Sequence, residues 1–574
     1  MRSDSQIPTP GNPGKIEYSL VVNGRKLPSR LGVLSIAVSQ EVNRIPTAKI
    51  VAPDGNAAMQ DFALSNEDWF LPGNDIEIYL GQLHAEVLVF RGKIVKHQIR
   101  MLKGFSFLEV DCRHAAYQMA LRPKCRYFRN LKDSQLAELL FKEYGLEAAV
   151  EATAFTHPEL VQYNCTDWDF LMMRLEANGL QAILGNGMVK ALKPDLDQKP
   201  ALRLLYGATI LEFEGELEVR TQFSEERTLS WDYSSRSILE AKATEPKIKE
   251  NGNLPGKKIA AANQPEPQVY RHGGAIVEGE LQAWADARLL RNRLSRARGR
   301  VQFKGFAGIK PGDIVELAGF GNRFNGPVYV AGLRHDLHNG EWITDIEFGL
   351  SPRCFAQAFT VEAPPAAGLL APVSGLQIGV VTQIENDPKG EFRIQVRLPI
   401  IDAAAPGIWA RVARPDAGAG RGAFFLPEPG DEVVLGFLND DPRDAVVLGM
   451  LHSRSKAAPF EARQENEEKG YVSREGLKII FHEGEKSITL QTPAGNRMAI
   501  SDENEGFLLA DQHGNSLQMN ADGISIRSAK DIKVEAKRNM KTQTGRAWQT
   551  VSDGQVRLKA ASLNEVKGKP VNIN

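Results

Sequence analysis

His335 and His338 form the one close pair among the ten histidines of this sequence, in "LRHDLHNGE". Two imidazoles at a hairpin corner offer two nitrogens to zinc, but two residues do not make a zinc site without a third ligand. The four cysteines, Cys112, Cys125, Cys165 and Cys354, form no C-x-x-C pair, and they read as reduced thiols of a chain folded in the cytosol. Glu461, Glu465, Glu467 and Glu468 could supply a pair of glycosidase carboxylates, but residues 454–470 are too short to build a folded wall around them. They read as a solvated linker. "GFGNRFNG" (319–326) misses the dinucleotide spacing, and "GAGRG" (418–422) lies between strands instead of at a strand-to-helix turn. Neither G-x-S-x-G nor H-E-x-x-H occurs. Arg288, Arg291, Arg293, Arg296 and Arg298 lie in a predicted helix over 281–299 and could meet phosphates, but spread around its girth they read as a solvated or interface-facing surface. The expectation is a chain without catalytic residues, cofactor or metal.

The elements that would have to position any site are mostly strands. At 574 residues the chain should divide into three or four domains. Its net charge of −1 gives no reason to expect a nucleic acid or an anionic surface as partner of the whole. "MRSDSQIPTPGNPG" has no apolar core, so no signal peptide is expected, and no run approaches the length of a membrane span. Short β-branched runs fill 15–120. Helical spacing follows in "SQLAELLFKEYGL" (134–146), with Asp133 or Ser134 as N-cap, and in "DWDFLMMRLEANGL" (167–180), with Gly179 as C-cap. Trp168, Phe170, Met172 and Met173 read as core. Residues 245–268 read as an exposed loop, and 311–350 as hairpins.

"VEAPPAAGLLAPVSG" (361–375) is the clearest linker. After it come five strand runs within 376–452, among them "FRIQVRL" with Phe392, Ile394, Val396 and Leu398 on one side, which suits a small closed barrel of the OB type. Seven basic residues against eleven acidic ones in that barrel argue against an OB-fold nucleic-acid binder.

Gly- and Asn-containing turns then recur until "GISIRSAKDIKVEAK" (523–537), where apolar or small residues alternate with charges. As one fifteen-residue strand it would run roughly 50 Å, and no other segment matches it in length. Copies from other molecules are the economical partners, with Ile524, Ile526, Ile532 and Val534 stacked inward as a trimer core; the alternative is one strand of an ordinary sandwich. From Gly523 onward eleven Lys and Arg outnumber four Asp and Glu. That charge reads first as a solubilising exterior, and second as a surface suited to anionic envelopes.

The linker, the barrel with "PEPGDEVVLGFLNDDPRDAVVLGMLHS" (427–453) and the Gly/Asn-punctuated β tail resemble the VgrG-like spike proteins of contractile injection systems. Residues 1–360 look like that family's hub, through "EVNRIPTAKI", "FRGKIVKH", "YNCTDWDFLMMRLEANGL" and "PGDIVELAGFGNRFNGPVYVAGLRHDLHNGEWITDIEFGL". The look is nearest to spikes of extracellular phage-tail-like particles of the antifeeding-prophage type, with type VI secretion and phage tail spikes carrying an effector or hydrolase as the alternative. The resemblance implies a mainly β chain with an α+β hub: phage-hub-like domains (1–360), a linker (361–375), an OB-fold domain (376–453), a second linker (454–470) and a three-chain β-prism or β-helix (471–574). It implies a homotrimer that joins inner tube and baseplate proteins to a PAAR-type tip, carries cargo effectors, and pierces a target membrane transiently when a sheath contracts. Assembly would be cytoplasmic, in a particle later secreted or released. The chain stops at "KGKPVNIN" without a fused cone, so a separate tip protein is expected, touching Val571, Asn572, Ile573 and Asn574.

Overall fold

A computed structural model describes residues 16–573 apart from 29, 83–84, 209, 264–265, 362 and 504–505. The expected absence of a signal peptide concerns residues that lie outside this range. Two compact units meet between Gly368 and Leu369, inside the stretch that reads as a linker.

The first unit is built on a thirteen-stranded, largely antiparallel sheet. Alternating strands such as Ser35–Glu41 and Thr47–Pro53 bury Ile36, Val38, Ala48 and Ile50 on one side. Inserted in it is an α+β portion with helices α1 (Asp133–Glu143) and α2 (Asp167–Ala177), whose core holds Leu136, Leu140, Trp168, Phe170 and Met172. Met173 is half-buried at its margin.

α1 starts at Asp133, so Asp133 and Ser134 are first-turn residues and not the cap; the Gln135 side chain accepts the Lys132 N–H instead. Asp133 is drawn elsewhere. Its carboxylate accepts from Arg174 Nε at 2.7 Å and from Asn178 at 2.8 Å, and lies 2.9 Å from His157 Nε2. Burial opposes its charge, but the hydrogen bonds from His157 and Arg174 outweigh this and hold the carboxyl well below the usual range.

Residues 245–268 are not simply an exposed loop. They contain helix α3 (Gly256–Asn263), with Ala260 and Asn251 buried. The reason lies in α4 (Glu278–Leu294) and the turn after it. Arg291, Arg293 and Arg296 are buried, which corrects the solvated reading of this helix. Arg293 binds Glu245 and the Phe223 carbonyl, while Arg296 donates to the Leu254 and Asn251 carbonyls at 2.7 Å. Burying a guanidinium group is costly unless its donors find acceptors, and the 245–254 segment supplies several of those for Arg293 and Arg296.

His335 and His338 do not converge. Both lie on the strand Gly326–His338; His335 is buried against Thr344, and His338 is exposed at the strand's end.

In the second unit, strands β1 (Gln377–Gln383), β2 (Ile394–Arg397), β3 (Ile408–Val412), β4 (Glu432–Phe437) and β5 (Ala445–Met450) close a barrel in the order β1-β2-β3-β5-β4. Ile394, Val396 and Leu398 fill it, as their alternation predicts. Phe392 does not. It is exposed with φ 57°, because the Asp387 carboxylate gathers the N–H groups of Lys389, Glu391 and Arg393 and reverses the chain before β2 begins.

Seven strands of five residues follow as an antiparallel meander: β6 (Glu468–Val472), β7 (Lys478–His482), β8 (Ser487–Gln491), β9 (Arg497–Ser501), β10 (Gly506–Ala510), β11 (Ser516–Asn520) and β12 (Gly523–Arg527). The first begins inside the stretch read as a second linker. Its turns repeat every 19 residues: "SREGL" from Ser473, "TPAGN" from Thr492 and "DQHGN" from Asp511. In each the first side chain accepts the N–H of the fifth residue, and the glycine takes positive φ (80°, 93° and 86°). The Asn515 hydrogen bonds and the His513 N–H hold the Asp511 carboxyl below its ordinary value. The asparagines also staple one turn to the next: Asn496 Oδ1 accepts from Gln512 N–H at 3.2 Å, and Asn515 Oδ1 from Ala529 N–H at 2.9 Å.

Two outcomes follow. Asn515→Ala, which loses its bonds to Asp511, Ser528 and Ala529, should cost the tail about 1–2 kcal/mol in chemical denaturation. Burial pushes the His335 imidazole down to about 4. A histidine depressed on folding contributes stability that is full above its unfolded value of about 6.5 and is lost as pH falls toward 4. His335 should therefore contribute a loss of about 3 kcal/mol across that window; burial pushes His114 down to about 4 as well, so His335→Gln should remove about half of the combined histidine slope.

Candidate assembly interface

Each tail strand turns its second and fourth side chains to the same face, as the period of two requires. Ile479 and Phe481 in β7, Ile488 and Leu490 in β8, Met498 and Ile500 in β9, Phe507 and Leu509 in β10, Leu517 and Met519 in β11, and Ile524 and Ile526 in β12 occupy these places.

The ladder register joins them into two unbroken rows. Ile479 stands opposite Leu490, which stands opposite Met498, then Leu509, Leu517 and Ile526. Phe481, Ile488, Ile500, Phe507, Met519 and Ile524 make the second row by the same pairings. Most of these side chains stay 37–72% exposed in the single chain. The other face is mostly small or polar, apart from Ile480 and Leu508, and on it Ser487, Ala499 and Ser501 are buried. Half-exposed residues of this size, twelve to a chain, would gain roughly 10 kcal/mol per chain if covered, before the cost of association. Monomeric proteins rarely expose an apolar face so continuous.

The segment 523–537 is not one long strand. Only Gly523–Arg527 pairs, and it pairs with β11 of its own chain. Ser528 then turns the backbone, with its hydroxyl donating to the Asp531 carbonyl and accepting the Lys530 N–H. The turn brings Ile532 to the groove lined by Ile526, Leu517, Leu509, Met498 and Leu490. So Ile524 and Ile526 end the two rows, Ile532 sits beside one of them, and Val534 lies outside the sheet, 65% exposed.

Among the described residues, none after Arg527 enters a backbone ladder with its own chain. Ile532, Val534, Trp548, Val551, Leu558 and Leu563 are all exposed there. Val571 and Ile573 are too, and Asn572 is also unladdered, while Asn574 lies outside the described residues. An open backbone interleaved with large apolar side chains wants partners for both.

Sequence reasoning missed the ten row residues before β12. Their signal is in the chain: "KIIFH", "SITLQ", "RMAIS", "GFLLA", "SLQMN" and "GISIR" place apolar residues at positions two and four alike, between turns 19 residues apart.

Comparison with known proteins adds the following. Residues 12–339 match the family described as the Alg8 N-terminal domain. Residues 377–452 match the type VI secretion system/phage-baseplate injector OB domain, and 487–574 the phage baseplate V C-terminal trimerisation domain. Two Pseudomonas aeruginosa type VI secretion system spike proteins, VgrG1c and VgrG1b, are each 23% identical over 63% of this chain. The chain spans about half their length (53% and 52%). An E. coli component of the type VI secretion system, described as similar to the T4 bacteriophage tail proteins gp27 and gp5, overlays at 12% identity with a TM-score of 0.39, over 75% of this chain and 99% of its own. With its first match extending over more than half of the sequence and the OB and baseplate V domains following in order, the chain belongs to the Alg8 N-terminal domain family and is similar to VgrG spike proteins.

Proposed function

We propose that three copies of this chain join through the two apolar rows and the segment beyond Arg527, and that the trimer is the central spike of a contractile injection machine. The observation that carries this is the pair of rows left open along six strands. Three such faces closed around an axis would bury them together, and the charged residues of the terminal segment would remain outside. The family description of 487–574 as a trimerisation domain supports the same stoichiometry.

The role is mechanical. In a closed three-chain assembly the backbone groups pair and the edges disappear, so force runs along covalent chain and hydrogen-bond ladder without peeling a strand. The barrel is tied to the start of the tail by the Phe425–Tyr471 ring contact at 4.9 Å and by the Arg474–Glu428 and Lys456–Asp431 ion pairs. Such a body would couple inner tube and baseplate proteins to a tip that pierces the target envelope without catalysing a reaction. A PAAR-type protein would sit on Val571, Asn572, Ile573 and Asn574, and effectors would travel as cargo. Assembly in the cytoplasm and departure within a released extracellular particle fit this reading, with a type VI secretion apparatus as the alternative setting. A nucleic-acid role for the barrel is disfavoured by its excess of acidic side chains.

Light scattering on the purified full-length protein should give three times the chain mass of 63.3 kDa. Ile500→Asp with Leu509→Asp, one in each row, should give monomers whose barrel remains folded. A monomeric parent protein, or a double variant that stays trimeric, would overturn the proposal. If the tip contact is correct, Val571→Asp with Ile573→Asp should abolish capture of the tip protein while leaving the trimer intact.

A further inference from the structure

Charge is sorted by sign along the tail. Residues 471–522 hold four Lys and Arg against eight Asp and Glu, whereas 523–574 hold eleven against four. The described residues from Lys530 onward are exposed, and among them only Lys533 with Glu535 and Lys567 with Glu565 form ion pairs. Most cations of the terminal segment thus lack an acidic partner in their own chain, and association in threes would triple their number along one body.

Solubility does not account for this sorting. Either sign keeps a narrow body dispersed, and acidic residues do so better than basic ones. The part next to the barrel carries the solubilising sign, while the far part carries the opposite one. A dense row of Lys and Arg is what an anionic, phosphate-bearing surface attracts, at about 1 kcal/mol for each cation near it.

We propose that the cations of residues 527–569 bind the phosphate headgroups of an anionic lipid bilayer. The inference rests on the spike reading above, which brings this end of the chain to an envelope. The acidic stretch before it confines the contact to the terminal segment, because a surface of that sign repels phosphate.

The test uses full-length protein whose mass has first been measured. Flotation compares vesicles of phosphatidylcholine alone with vesicles containing about a third phosphatidylglycerol, at about 50 mM and about 500 mM salt. Binding should require phosphatidylglycerol and vanish at the higher salt. Changing Lys533, Lys537, Arg538 and Lys541 together to Gln should weaken binding at least roughly 100-fold. Changing Lys199, Lys257, Lys258 and Lys310 of the first unit to Gln should not.

A trimer that ignores phosphatidylglycerol, or whose Lys533/Lys537/Arg538/Lys541 variant binds as well as the parent, overturns this inference and leaves the spike reading standing. A trimer that binds a DNA duplex more tightly than the anionic vesicles overturns it in favour of a nucleic-acid partner. A monomer removes the spike reading and this inference together.

Discussion

The tail leaves two rows of large apolar side chains partly open to solvent in the single chain, and the reading of the whole depends on what covers them. Six five-residue strands each spend two of their five side chains on a face that meets solvent in the isolated chain. A single sheet of this kind would be marginal in water. Joined through that face, each copy supplies the others with the core it lacks, and stability becomes a property of the assembly. The 19-residue turn repeat keeps the rows in register, because a slip of one residue would move Leu490 or Ile500 to the opposite face. The asparagine staples fix neighbouring turns to each other where the strands are too short to do so alone.

The first unit shows a different economy. Its cores are closed within one chain, and several of its buried charged groups are gathered into networks. Asp133 gathers Arg174, His157 and Asn178 at the junction of α1 and α2, and Arg174 reaches on to Glu280 of α4. Arg293 and Arg296 do the same for the segment before α3. Removing one partner from such a network leaves an unmatched buried charge, which costs more than the intact network contributes.

Much of this was legible from sequence. The barrel strands follow from alternation, and the cores of α1 and α2 from their helical spacing. The linker reading of 361–375 contains the boundary between the two units. What could not be read locally was set by distant partners. Nothing near Arg293 or Arg296 announces that Glu245 and the Asn251 carbonyl will receive them. Phe392 continues the alternation of β2, yet Asp387 turns the chain before it. The segment 523–537 keeps its alternation through Ser528, whose hydroxyl instead closes a turn, so one long strand became a short strand and a returning segment. The ten row residues were legible in principle, since their positions repeat with the turns, but each strand is so short that only the repeat gives the pattern weight.

The backbone beyond Arg527 offers the most direct check, because among its described residues no amide enters a ladder in its own chain. Amide hydrogen exchange across residues 528–573 of the full-length protein in native buffer reports whether another copy pairs with them. Three-chain pairing predicts protection comparable to that of the barrel strands, lost together with the trimer. Exchange at the rate of an unstructured peptide throughout this segment would contradict it.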